Sequence, residues 1–101
     1  MDNFKAIYEI LSFLEKAMDC KEFAREVFTA QFFGLSEERF KHLLKMLADR
    51  KLVEGLHVSV LLSGGLVVNW EHPRITLYGL QYLRQEAAMQ EERKKAKGIR
   101  A

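Results

Sequence analysis

Between Ala30 and Leu43 the chain reads Ala-Gln-Phe-Phe-Gly-Leu-Ser-Glu-Glu-Arg-Phe-Lys-His-Leu, and no other stretch constrains the fold as tightly. A small residue, Ala30, stands four positions before Gly34. Phe33 and Leu35 flank that glycine, and Phe40 and Leu43 follow on one face of the next segment. Two helices that cross steeply need a small side chain where their backbones approach. They also need a residue tolerant of positive φ at the corner. The spacing is that of a helix-turn-helix, and the helix after the turn is the candidate DNA-facing element.

A chain of 101 residues supports one domain with a single modest core. Its apolar content of 49%, with 11% aromatics, fits an ordered globular protein. The lone Cys20 excludes an internal disulfide and points to a reducing compartment. No apolar run approaches the roughly 20 residues of a membrane span, and no signal-peptide pattern opens the chain. The expected location is the cytoplasm, with no membrane contact. The net charge of +2 is small, but its distribution is uneven. Basic residues outnumber acidic ones seven to five over residues 20–51 and six to three over 76–101, while 1–19 and 52–75 carry an acidic excess. Positive charge therefore collects on the helix-turn-helix and the C-terminal segment, where a nucleic-acid interface would need it.

Phe4, Ile7, Tyr8, Leu11, Leu14 and Met18 recur with helical period, which predicts an amphipathic helix over residues 3–18 capped by Asp2 or Asn3. Ile10 and Phe13 widen its apolar face. Thr29, Ser36 and Thr76 each stand where a helix can start, with an apolar residue just before and another four after. The pairs are Phe28 and Phe33, Leu35 and Phe40, Ile75 and Leu80. That arrangement is a hydrophobic staple, and its threefold use predicts a short helix after Thr29, a longer one after Ser36 and a last one after Thr76. The last is expected over residues 76–97, with 98–101 as a tail. Leu77, Leu80, Leu83 and Ala87 form one face of it, and Tyr78, Tyr82 and Met89 a second apolar strip.

From Leu52 to Glu71 the period changes to alternation. Leu56, Val58, Val60 and Leu62 point one way, as do Leu66, Val68 and Trp70 after Ser63-Gly64-Gly65. A two-residue Gly64-Gly65 turn pairs Val60 with Asn69. A three-residue loop pairs Val60 with Val68 and Val58 with Trp70, which keeps one apolar face and is preferred. Pro73 is expected to end the second strand. Cys20–Val27 is a candidate third strand. The order is α+β, a winged helix-turn-helix with three N-terminal helices, a β-hairpin wing and an appended C-terminal helix.

On these residues the chain resembles the YjcQ-like family of small bacterial and phage proteins. The resemblance lies in Phe33–Phe40, in Leu52-Val53-Glu54-Gly55-Leu56, in Ala96-Lys97-Gly98-Ile99, and most specifically in Arg74-Ile75-Thr76-Leu77-Tyr78-Gly79-Leu80-Gln81-Tyr82-Leu83. It implies a winged-helix fold with four helices and a small sheet; it implies little about activity and supplies no catalytic residues to carry over.

The candidate DNA-binding residues are Ser36, Arg39, Lys41, His42 and Lys45 on the second helix of the motif, with Arg93, Lys94 and Lys95 near the C-terminus. Glu37 and Glu38 oppose phosphate contact there, although they suit a helix N-terminus. The wing carries no charge, unlike wings that bring Arg or Lys to a minor groove. His42, His57, His72 and Cys20 lack metal-ligand spacing, and no phosphate loop, nucleophile elbow or acid–base pair is evident. No metal, cofactor or enzymatic activity is expected. The combined reading is a DNA-binding transcriptional regulator of a phage or mobile element. It acts on double-stranded DNA as a homodimer joined through Tyr78, Tyr82 and Met89. The alternative is a winged helix that contacts another protein without nucleic acid.

Overall fold

The hydroxyl and carboxylate caps read from the sequence are formed. A computed structural model describes residues 2–100, with side chains through Met89. In chain order the elements are α1 (Asn3–Ala17), α2 (Glu37–Asp49), β1 (Val53–Val60), β2 (Leu66–Ile75) and α3 (Leu77–Arg100), a small α+β architecture. Asp2, not Asn3, caps α1, accepting a hydrogen bond from the Phe4 N–H at 2.9 Å. Ser36 Oγ accepts from the Arg39 N–H at 3.1 Å, and Thr76 Oγ1 accepts from the Gly79 N–H at 3.2 Å. Each cap satisfies a donor that the helix itself leaves open, a contribution of about 1 kcal/mol.

Thr29 makes the same bond, to the Phe32 N–H at 3.2 Å, yet no helix follows it. Residues 30–34 close as a single turn. The Leu35 N–H reaches back to the Ala30 carbonyl at 2.9 Å and the Gly34 N–H to the Gln31 carbonyl at 3.1 Å, with Gly34 at φ +69°. That pair of bonds is a Schellman motif. The expected short helix is therefore absent, and two helices precede the hairpin, not three. The cap and the terminating glycine stand only five positions apart, too close for helix propagation to repay nucleation.

Ile10, Leu11 and Leu14 of α1 and Leu44 and Leu47 of α2 are almost fully buried. Phe13, Phe23, Phe28, Phe33, Phe40 and Trp70 form an aromatic cluster beside them, with ring centroids 5.5–5.9 Å apart. Most of these pairs are edge-on, Phe33 and Phe40 being stacked, and such contacts add about 0.5–1.5 kcal/mol each beyond their burial. This cluster explains the expected third strand, Cys20–Val27, which is not a strand. The segment bonds to itself, the Arg25 N–H to Phe23 O and the Val27 N–H to Ala24 O, and is held by Phe23 against Trp70 and Phe13.

β1 and β2 pair antiparallel with Val60 opposite Leu66, Val58 opposite Val68 and Leu56 opposite Trp70. The expected register is thus displaced by two residues. The loop has three residues, as expected, but they are Leu62-Ser63-Gly64. The Leu61 carbonyl accepts from the Gly64 N–H at 2.9 Å, the Leu61 N–H donates to Gly65 O at 2.8 Å, and Gly64 lies at φ +92°. A three-residue hairpin places its left-handed residue third, so Gly64 takes that position. An even displacement leaves the same side chains on the same face. Pro73 does not end β2, which continues to Ile75. The register shifts between Glu54 and Leu56, and buried Pro73 lies in the irregular part opposite, where no ladder donor is required.

α3 starts where β2 ends and runs through the expected tail to Arg100. Its Leu83 is buried and Leu80 packs against the core, but Leu77 is exposed and does not join that face. As the first helical residue after the Thr76 cap, Leu77 projects beyond the core that Leu83 reaches.

Candidate nucleic-acid interface

α2 buries Phe40, Leu43, Leu44 and Leu47, the face expected from its period. The Gly34 corner and the Ser36 cap set its approach angle to the core. Its other side is open to solvent. Glu38, Arg39, His42, Met46 and Asp49 are exposed, and Lys41 and Lys45 are half-buried along the edge. The structure thus brings Ser36, Arg39, Lys41, His42 and Lys45 onto one accessible helix, with the Ser36 hydroxyl already engaged as the cap.

The positive charge on this helix is interrupted. Lys45 Nζ lies 2.6 Å from Asp49 Oδ2, and Lys41 Nζ lies 4.0 Å from Glu38 Oε1. Glu37 accepts a hydrogen bond from Gln31 Nε2 at 3.3 Å, across the corner. Exposed pairs one helical turn apart are worth only about 0.3–0.5 kcal/mol. A phosphate oxygen can therefore displace the carboxylate from either lysine.

The hairpin differs in kind. Residues 58–70 carry no ionisable side chain. At the tip Val60, Leu61 and Leu62 are exposed, and Val67 is exposed on the returning strand. The second strip on α3 divides. Tyr78 (61% exposed) and Met89 (49%) face solvent, whereas Tyr82 packs against the core cluster beside α1. Burial, with Glu86 and Asp2 nearby, raises the Tyr82 phenol above its ordinary pKa, so the ring is neutral throughout the physiological range. Arg93, Lys94 and Lys95 lie outside the residues whose side chains are described. Among the described residues, no three His, Cys, Asp or Glu side chains converge as a metal site. No helix there is long and apolar enough to cross a membrane.

Two features escaped sequence reasoning. The Arg25 guanidinium stacks 4.9 Å from the Trp70 ring centroid and lies 3.5 Å from the Trp70 carbonyl, joining residues 45 apart in sequence. Lys51 ends α2 in a second Schellman turn at φ +60°, with its N–H bonded to Ala48 O and the Leu52 N–H to Leu47 O. Glycine normally marks such a corner, so a lysine there carried no signal.

These elements define a small α+β protein with an accessible, capped helix after a glycine corner. The family model described as YjcQ protein matches residues 8–101, and the chain belongs to that family. Comparison with curated proteins and with solved structures returned no match.

Proposed function

We propose that this chain is a winged-helix protein that binds double-stranded DNA as a homodimer. In this reading it regulates transcription in a phage or mobile element and has no catalytic role. The observation that supports the reading most directly is the half-open state of α2, anchored by four buried apolar residues while Arg39, Lys41, His42 and Lys45 remain accessible. A helix of that width fits a major groove about 12 Å across. Arg39 and His42 are suited to base edges, and Lys41 and Lys45 to phosphates. Tyr78 and Met89, with Tyr82 between them, supply the contact between copies, and a two-fold pair doubles the short site one helix can read.

A protein partner is the second reading. It is favoured by the carboxylates paired with both lysines and by the uncharged, apolar hairpin tip. A mobility shift on arbitrary duplex DNA, repeated across salt concentrations, separates the two. DNA binding is expected to weaken steeply with salt, and Lys41→Ala with Lys45→Ala should flatten the log–log slope by up to about two units. No shift at about 50 mM salt, or an unchanged slope in the double variant, would remove α2 from a DNA interface. Sedimentation of the wild type and of Tyr78→Glu tests the homodimer separately, since only a dimer joined through α3 would fall to a monomer.

A further inference from the structure

Where the C-terminal end of α2 meets the start of α1 and the first turns of α3, the surface holds a groove of about 720 Å³. Its walls are apolar and aromatic, chiefly Phe4, Met46, Leu52, Tyr78 and Tyr82, with Gln81 and Gln85 among the lining. Arg50 and Lys51, adjacent in the chain, also line it, and no acidic residue does. The neighbouring cavity, which shares Phe4, has the opposite balance, with Asp2, Glu9 and Glu86 against Lys5.

The two cations are available. Lys41, Lys45 and Arg74 are bound in ion pairs, but neither Arg50 nor Lys51 has a carboxylate partner among the described residues. The C-terminal end of α2 carries the negative end of the helix dipole, which Arg50 and Lys51 offset, and four of the carbonyls there are already engaged. Leu47 O, Ala48 O, Lys51 O and Leu52 O each accept a hydrogen bond, the last two from Thr76. Lys51 is also the one non-glycine residue at positive φ among the described residues. Glycine would hold that turn with less strain, so the backbone alone does not call for a lysine there.

We infer that this groove binds an amphipathic carboxylate, with its apolar body between Phe4, Met46 and Tyr78 and its head group at Arg50 and Lys51. The volume falls in the range of small-molecule sites, roughly 300–1,000 Å³, and the lining has their usual composition of apolar walls with a few convergent polar groups. The sign of the head group follows from the two unpaired cations and the absence of carboxylates. The inference stands apart from DNA binding. It does share Tyr78 and Tyr82 with the proposed dimer contact, so ligand and second copy compete for one face.

The test uses the full chain at a concentration where it sediments as a monomer, with octanoate, octylammonium and octan-1-ol as probes. Amide shifts in a nitrogen-15 correlation spectrum report the site. Octanoate should produce saturable shifts centred on Phe4, Met46, Leu52 and Tyr78, several-fold tighter than either other probe. Lys51→Gly should weaken octanoate by about two- to five-fold, the range of one exposed ion pair, while raising the melting temperature. A merely structural lysine would change the second quantity and leave the first alone.

Equal binding of the three probes, shifts scattered over the chain, or unaltered octanoate affinity in Lys51→Gly would each overturn the inference. So would a groove closed by a second copy at every accessible concentration, shown by a dimer that octanoate neither enters nor dissociates.

Discussion

Replacing Gly79 with alanine should destabilise this protein, although helix propensity alone predicts the reverse. Gly79 is the third residue of α3 and is buried. In an ordinary helix the exchange stabilises by about 1 kcal/mol. Here an added Cβ would lie 2.4 Å from the Leu52 carbonyl oxygen and 2.5 Å from Ile75 Cγ1. Neither neighbour can yield cheaply. The carbonyl accepts the Thr76 N–H at 3.0 Å, and Ile75 is part of the core. Overpacking costs about 1–3 kcal/mol, and a fixed backbone obstacle argues for the upper end. Set against the propensity gain, the net loss is about 2 kcal/mol, or about 8–16 °C in melting temperature for a domain of this size. Thermal and urea denaturation followed by circular dichroism would measure it. Gly65→Ala is the control, because the nearest atom to its added Cβ is Leu61 Cδ1 at 3.6 Å, and a change within about 0.5 kcal/mol is expected. A Gly79→Ala protein that melts at or above the parent would refute the close approach of α3 to the end of α2.

The two Schellman corners should respond with opposite signs. Gly34→Val should lose about 1 kcal/mol or more, since a β-branched residue must adopt φ near +69°, whereas Lys51→Gly should gain up to about 1 kcal/mol, both read from urea midpoints. Like signs would mean that one of the turns is misassigned. Tyr82 ties stability to alkaline pH. Its folded-state pKa is raised, so the folded protein holds the proton longer than the unfolded chain. Stability is therefore intact below the unfolded value of 10.0 and falls as pH rises beyond it. Tyr82→Phe should melt less steeply with pH above 10, and parallel curves for the two proteins would contradict the burial of that phenol.

What was legible in the sequence is local. Ser36 and Thr76 announced their helices because a cap needs only a hydroxyl and the amide three residues on, both within one segment. The apolar faces of α1 and α2 followed from period alone, since burial selects every third or fourth side chain. Gly34 marked its corner because few other residues take positive φ at low cost. The candidate site was legible to the same depth, because Lys41, His42 and Lys45 lie on the face that Phe40, Leu43 and Leu47 leave open.

Tertiary structure decided whatever depends on residues distant in the chain. Cys20–Val27 has no pattern of its own, and its path is set by Phe23 packing on Trp70, 47 positions away. Leu77 falls outside the core that Leu80 and Leu83 join, because helical period assigns a face but not how far the core extends beneath it. Thr29 has the same cap and staple as Ser36. The difference was made by Gly34, which closed the turn before a helix could propagate. The groove at Arg50 and Lys51 was invisible for the same reason. Its walls come from three helices, and only their packing leaves two cations facing an apolar surface without a carboxylate. Sequence determines what each segment prefers over a few residues, where the interacting atoms are fixed by covalent geometry. Which preferences survive, and which side chains meet, is settled by long-range packing, where burying one apolar side chain, at about 1.5–3 kcal/mol, outweighs most local preferences.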